Sequence, residues 1–134
     1  MPFRLSIVTP ERPVVDFEVN SVVVPGSEGE FGVLPSHEPF LAPVAAGVVS
    51  YVAAGSEQRV ATSGGFAEVT QKHVTLLART AEPAVEIDAG RAEAARTRAE
   101  EGLRAAEPTA PPDQLAVLQA EAARAVARLR TLGR

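Results

Sequence analysis

The sequence has no cysteine and no tryptophan, and its only aromatic residues are five phenylalanines and one tyrosine. Without cysteine the chain forms no disulfide, no thiolate metal site and no cysteine nucleophile. Its two histidines, His37 and His73, lie too far apart along the chain to indicate a metal site. No apolar run reaches the 18 residues of a membrane span. Hydrophobic residues still make up 46% of the sequence, so we expect a core of aliphatic side chains.

Charge and composition divide the chain into two unlike parts. Residues 88–134 contain 14 alanines and eight arginines but only three glycines, whereas residues 1–84 hold most of the valine, phenylalanine, proline and glycine. Residues 1–85 carry five basic and nine acidic groups, and residues 86–134 carry eight of each. The acidic first part argues against nucleic acid as a partner. Because no apolar signal segment is seen, we expect a soluble cytoplasmic protein without direct membrane insertion.

Residues 1–84 show the pattern of an antiparallel β-sandwich or barrel. Phe3, Leu5 and Ile7 alternate with polar residues, which is the two-residue period of a strand. Similar short runs follow, separated by glycine and proline turns. About nine strands are predicted. The first begins at residue 3 and ends at residues 9–10, and the others lie at residues 14–19, 21–24, 31–34, 41–44, 47–52, 59–63, 65–70 and 73–78. So many short strands spaced by turns are typical of a sandwich or barrel.

Residues 85–134 predict a hairpin of two antiparallel helices. Asp88 is suited to cap the first helix and Asp113 the second, and the proline-rich stretch 107–112 separates them. The first helix carries a stripe of small residues at Ala92, Ala95, Ala99, Gly102 and Ala106. The second carries a stripe at Leu115, Leu118, Ala122, Ala125, Leu129 and Leu132. The hairpin has only about six large aliphatic side chains, and the free energy gained by burying them is small compared with the entropy lost on ordering each residue. We therefore expect a weakly anchored arm that opens without unfolding the sandwich.

The motifs of the first part do not indicate catalysis. Glycines at every third position of residues 26–32 lack the lysine and the strand–loop–helix context of a P-loop, so turn glycines are the preferred interpretation. Glu28 and Glu30 are a conceivable acid–base pair, but solvated charges on a turn explain them better. Residues 36–38 have the types of a catalytic triad, yet adjacent residues do not converge as one. We expect no catalytic residue and no metal ligand.

The arginines of the second part leave two interpretations open. Arg91 and Arg98 lie seven residues apart on one helix, and Arg124 and Arg128 lie four apart on the other. On antiparallel helices all four would converge on one anion such as a triphosphate. The alternative is that eight arginines in so short a segment show such spacings by chance and lie on a solvent-exposed face. Spacing alone favours this alternative.

Five segments, in order, carry a resemblance to a known family. They are Val-Thr-Pro-Glu-Arg at residues 8–12, the Pro-Gly-Ser-Glu-Gly-Glu-Phe-Gly-Val-Leu-Pro run within 25–39, Ser-Gly-Gly-Phe-Ala-Glu-Val at 63–69, Val-Thr-Leu-Leu-Ala at 74–78, and Ile-Asp-Ala-Gly-Arg-Ala at 87–92 with Arg-Ala-Glu at 98–100. Together they resemble the epsilon subunit of the bacterial F-type ATP synthase over nearly the whole chain. The resemblance implies a ten-stranded β-sandwich (residues 1–84) that binds the rotor, and a regulatory helical hairpin (residues 85–134).

The resemblance also implies a function and its partners. The family member is a non-catalytic subunit of the central stalk, peripheral on the cytoplasmic face of the bacterial inner membrane. Its sandwich binds the gamma subunit and the ring of c subunits, and so couples proton-driven rotation to ATP synthesis in the catalytic head. The expected contacts with the c-ring and gamma are Glu28, Glu30, His37 and Glu38. In many members the hairpin extends into the alpha/beta head and inhibits ATP hydrolysis.

Some family members also bind ATP in the folded hairpin. The resemblance implies that no cofactor is required and that ATP, where it binds, is a regulatory ligand. The positions that bind it in those members correspond here to Glu82, Ile87, Asp88, Arg91, Ala92, Arg98, Arg124 and Arg128. The arginines would contact the phosphates, and Glu82 and Asp88 would orient the adenine side or fix the arginines. The alternative is a free-standing β-sandwich module that binds a nucleotide or another anion through its arm.

Overall fold

The computed structural model describes residues 2–35, 38–106 and 111–133. His37 therefore lies outside the described residues, as does most of the break between the helices. Ten strands form the first part: β1 (Phe3–Val8), β2 (Pro13–Val19), β3 (Ser21–Gly26), β4 (Gly29–Val33), β5 (Phe40–Val44), β6 (Gly47–Ala53), β7 (Ser56–Thr62), β8 (Gly65–Val69), β9 (His73–Ala78) and β10 (Ala81–Pro83). A 3-10 turn (Ala84–Glu86) leads to α1 (Ala89–Ala106) and α2 (Pro112–Thr131).

The strands form one ten-stranded sheet that folds over on itself into a sandwich. The order is β10-β7-β6-β3-β5-β8-β9-β1-β2, with β4 paired to β3. Neighbours are antiparallel except β1 and β9, which pair in parallel with Leu5 opposite Val74. The two ends of the sheet meet where β2 contacts β6 and β10, and Phe17 packs edge-on against Tyr51 with ring centroids 5.7 Å apart. This closure encloses the core.

The core is aliphatic, as the shortage of aromatic residues predicts. Leu5 and Ile7 from β1, Leu76 from β9 and Val49 from β6 are at most 1% exposed. Their neighbours in each strand lie on the opposite face of the sheet, which is the alternation that the sequence shows in β1. The predicted sandwich is therefore confirmed. It has the ten strands that the resemblance implies, one of which the alternation of residues did not indicate. That strand, β10, has only three residues, one of them proline, and it is a strand because Ala81 pairs with Thr62 of β7.

The caps of the two helices differ from each other. Asp88 caps α1 as predicted, since its Oδ1 accepts a hydrogen bond from the Arg91 amide at 2.9 Å. The prediction that Asp113 caps α2 is wrong. Pro111 is the N-cap residue and Pro112 the first helical residue, because proline has no N–H to leave unpaired and its φ already suits the first turn. Asp113 consequently lies inside the helix, where its charge still favours the positive N-terminus.

The hairpin lies folded against the sandwich. Helix α2 packs on β6 and β7, and α1 is held mainly through α2. The predicted stripes are the buried faces: Ala92 and Ala99 of α1 are 2% exposed, and Ala125 of α2 is fully buried. A second face of α2 also buries Ala127. The helices approach closely at a glycine, because a Cβ added at Gly102 would lie 2.9 Å from the Cδ2 atom of Leu118.

Replacing Gly102 by leucine should loosen the hairpin without unfolding the sandwich. The new side chain must displace Leu118, and overpacking of this kind costs about 1–3 kcal/mol. Amide hydrogen exchange in α1 and α2 is expected to accelerate at least about tenfold, while exchange in β1 and β9 stays unchanged. Ala105→Leu, at an exposed position of α1, is the control. Equal acceleration in both variants, or in the sandwich, would contradict a close contact at Gly102.

Candidate functional site

Most of the predicted ATP-binding residues surround one pocket between the sandwich and the hairpin. The pocket has a volume of about 520 Å³, within the roughly 300–1,000 Å³ of small-molecule sites. Seven of the eight predicted residues line it: Glu82, Ile87, Asp88, Arg91, Ala92, Arg98 and Arg128. Three further lining residues were not predicted: Glu86, Ala94 and Ala95. Only their positions in the sequence could have indicated these three residues. Glu86 comes shortly before the helix cap Asp88, and the two alanines follow Ala92 on the same helix.

The pocket exists because α1 presents small side chains toward it. Ala92 is buried, Ala95 is half-buried and Ala94 is exposed, and none of them extends beyond a methyl group. Larger side chains at these three positions would fill the space between α1 and the residues that precede it in the sequence. The low side-chain volume that weakens the anchoring of the hairpin therefore also creates room for a ligand.

The charges around the pocket are only partly neutralised. Glu82 accepts a hydrogen bond from Arg128 Nε at 2.6 Å, and both side chains are about one-third exposed. Glu86 pairs with Arg12, which lies outside the pocket lining. Within the described residues, no ion pair or side-chain hydrogen bond engages the guanidinium groups of Arg91 and Arg98. Two free cations thus line the pocket, and they are the groups most suited to an anionic ligand.

Arg124 is the predicted residue that does not line this pocket. It lies one turn before Arg128 on α2 and faces two neighbouring clefts instead. One is a small crevice that it shares with Glu82 and Arg128. The other has a volume of about 340 Å³ and includes Arg79. The structure therefore places Arg124 beside the pocket rather than in its wall.

The acidic residues predicted to contact other subunits lie between the β3–β4 turn and the start of β5 in the sequence. Glu28, Glu30 and Glu38 are all exposed, and His37 falls outside the described residues. Leu34 and Leu41, in the same part of the sequence, are 66% and 64% exposed. This part of the sequence combines solvated carboxylates with large apolar side chains that no described residue covers, and so has the composition of a contact surface.

A second polar cluster brings together residues that are distant in the sequence. Ser6 Oγ donates to Asp16 Oδ1 at 3.1 Å and lies 2.9 Å from His73 Nε2. Hydrogen bonds from Arg4 and from Ser6 lower the pKa of the Asp16 carboxyl. In a catalytic triad the histidine stands between the carboxylate and the hydroxyl. Here the hydroxyl stands between them and donates to the carboxylate, so the cluster does not activate a nucleophile.

Metal sites and membrane-spanning helices are two further classes of feature. Within residues 2–35, 38–106 and 111–133, no group of three or more histidine, aspartate or glutamate side chains is placed to hold a metal ion. Over the same residues, no helix is long and apolar enough to cross a membrane. The pocket between the sandwich and the hairpin therefore remains the candidate functional site.

Comparison with known proteins gives consistent matches for both parts of the chain. Residues 2–84 match the family "ATP synthase, Delta/Epsilon chain, beta-sandwich domain", and residues 86–133 match its "long alpha-helix domain". The chain is 49% identical over 130 residues to the ATP synthase epsilon chain of Nitratidesulfovibrio vulgaris (strain DP4), covering 97% of this chain and 95% of the relative. It is 48% identical over 133 residues to that of Moorella thermoacetica, covering 97% and 96%.

Two solved structures share the fold. One belongs to the Euglena gracilis mitochondrial ATP synthase, in an assembly titled OSCP/F1/c-ring, with a TM-score of 0.78 and 24% identity over 99% of this chain and 82% of that chain. The other belongs to the central stalk and c-ring of the Tetrahymena thermophila enzyme, with a TM-score of 0.64 and 7% identity over 98% and 97%. At these identities the likeness concerns the fold alone.

Proposed function

This chain belongs to the ATP synthase delta/epsilon family, and from that membership we propose that it is the epsilon subunit in the central stalk of a proton-translocating F-type ATP synthase. The observation that carries the proposal is the 49% identity to an epsilon chain over 97% of the sequence, sandwich and hairpin included. The subunit acts by binding rather than by catalysis: it links the rotating ring of c subunits to gamma, and through gamma to the catalytic head. It works peripherally, at the cytoplasmic face of a bacterial inner membrane.

The stretch of residues 28–38 is the proposed contact with the c-ring and gamma. Glu28, Glu30 and Glu38 supply exposed charge, His37 completes the predicted set, and Leu34, which lies between them in the sequence, supplies an exposed apolar side chain. Charged groups at the rim of an interface steer association and fix orientation more than they add affinity. A buried apolar centre then supplies most of the binding energy.

Copurification tests the rotor proposal. An affinity-tagged chain expressed in its own cells should recover gamma and the c subunits, since a rotor subunit remains bound to both. Glu30→Lys should lower recovery of the c subunits severalfold, because it reverses a charge in the proposed contact. Glu57→Lys, at an exposed position near the start of β7, is the matched control and should leave the recovery of both partners unchanged. Recovery of neither partner by the parent chain would favour the alternative, a free-standing nucleotide-binding or anion-binding module.

The pocket between sandwich and hairpin is the proposed site for ATP as a regulatory ligand. Arg91 and Arg98 would contact the phosphates, because neither guanidinium forms an ion pair with a described residue. Arg128 donates a hydrogen bond of 2.6 Å to Glu82, so it would contact the phosphates only if that hydrogen bond were broken. Asp88 is occupied as a helix cap, so it fixes the backbone of Arg91 and leaves that side chain to the ligand. Arg124 would act from the neighbouring crevice.

Binding at this pocket would favour the folded hairpin over an extended one that enters the alpha/beta head and inhibits hydrolysis. The pocket is built from β10, the segment before α1, α1 itself and Arg128 of α2, so it is lost when the hairpin leaves the sandwich. A ligand that binds one state alone stabilises it by about 2.7 kcal/mol at a hundred times its Kd. For a weakly anchored arm, a bias of that size is enough to change which state dominates.

A further inference from the structure

A second cleft lies between the sandwich and α2, and Arg124, which does not line the larger pocket, is one of its lining residues. Its volume is about 340 Å³. Four of its lining residues are polar, namely Ser63, Arg79, Thr80 and Arg124, and the others are alanines. It shares no lining residue with the larger pocket. No carboxylate is among its lining residues, although the protein as a whole has a net charge of −4.

The two arginines of this cleft come from different parts of the fold. Arg79 follows β9 in the sandwich, and Arg124 lies in the middle of α2. Neither side chain makes a hydrogen bond or an ion pair with any described residue. By contrast, Arg128, one turn further along α2, is paired with Glu82. The cleft therefore contains two guanidinium groups that form no ion pair with a described residue. Glu82 lines an adjoining crevice with each of them but does not line this cleft, so an anion that enters the cleft would meet positive charge there.

The sandwich side of the cleft is held by backbone hydrogen bonds and carries hydroxyl donors that no described residue uses. The amide of Thr80 donates to Ser63 Oγ at 3.1 Å, and the amide of Ser63 donates to the Thr80 carbonyl at 3.3 Å. The Arg79 amide donates to the Gly64 carbonyl at 3.1 Å. Because Ser63 Oγ accepts in this network, its own proton remains available, as does that of Thr80, whose hydroxyl bonds no described residue. Two hydroxyl donors thus stand beside the two arginines.

We propose that this cleft binds a small tetrahedral oxyanion, namely inorganic phosphate, distinct from the nucleotide of the larger pocket. Each guanidinium can present two N–H donors to one phosphate, and the hydroxyls of Ser63 and Thr80 match its remaining oxygens. The alanines on α2 leave the space that the ion requires. Since one arginine belongs to the sandwich and the other to the hairpin, the bound ion ties the two together. Phosphate then stabilises the folded hairpin through Arg79, which is not a proposed ATP contact, as well as through Arg124.

A titration of the full chain with sodium phosphate, followed by backbone amide NMR, tests this proposal. A parallel titration with sodium chloride at equal ionic strength separates specific binding from screening. We expect saturable shifts at Ser63, Arg79, Thr80 and Arg124 with phosphate alone. Hydrogen exchange within α2 should slow at the same concentrations. The spectrum of each variant also reports directly whether its fold is intact.

Variants of equal charge change locate the ion. Arg79→Gln and Arg124→Gln should each weaken phosphate binding at least about tenfold. Arg130→Gln, at an exposed position near the end of α2, is the matched control and should bind as the parent does. Shifts no larger than those with chloride would overturn the proposal, as would equal weakening by Arg130→Gln. Binding that is lost in Arg91→Gln but kept in Arg124→Gln would place phosphate in the larger pocket, which also overturns it.

Discussion

Arg91→Gln is expected to weaken ATP binding by roughly tenfold to a hundredfold. Hydrogen bonds to a charged group are worth about 1.5–3 kcal/mol, and each 1.4 kcal/mol is about a factor of ten in affinity. Arg91 lines the pocket, has no carboxylate partner among the described residues, and has its backbone fixed by Asp88. Isothermal titration calorimetry of the parent and the variant with Mg-ATP measures the difference.

The control for this prediction lies on the same helix. Arg104 is exposed near the end of α1 and lines none of the pockets described above, so Arg104→Gln makes the same charge change away from the site. We expect the affinity of Arg104→Gln for ATP to equal that of the parent. Equal affinities in all three proteins would show that the arginines of α1 are a solvated face, and the subunit would then couple rotation without sensing ATP.

Leu76→Ala is expected to lower the free energy of unfolding by about 2–5 kcal/mol, the range for truncating a leucine in a packed core. Leu76 lies in β9, is 1% exposed and belongs to the central cluster of the sandwich. Folded domains are stable by only about 5–15 kcal/mol, so this single change removes a large part of the total. Urea unfolding, followed by circular dichroism, measures the loss.

The neighbouring residue provides a control of identical chemistry. Leu77 points to the opposite face of β9 and is 57% exposed, so Leu77→Ala should change the unfolding free energy by less than about 0.5 kcal/mol. The comparison tests the register of the strand, because a shift by one residue would exchange the two faces. A larger loss for Leu77→Ala than for Leu76→Ala would show that the register is wrong.

Local patterns predicted most of the fold because they depend on neighbours in the chain. The alternation in β1 and the spacing of the stripes on α1 and α2 are set by the periods of strand and helix. Where local signals failed, a partner distant in sequence was decisive. The three residues of β10 have no strand pattern of their own and are held by β7. Similarly, the cluster of Ser6, Asp16 and His73 depends on pairing of β1 with both β2 and β9.

The sequence by itself determined the two-part architecture, the aliphatic core and, through collinear motifs, the family. Tertiary structure decided the site. Glu82 and Arg128 are 46 residues apart and meet only because the hairpin folds back onto the sandwich. Spacing places Arg124 and Arg128 on one side of α2, but which of them reaches the larger pocket depends on the face of α2 that packs on β6 and β7. That orientation results from burying side chains against a distant surface, which no local period encodes.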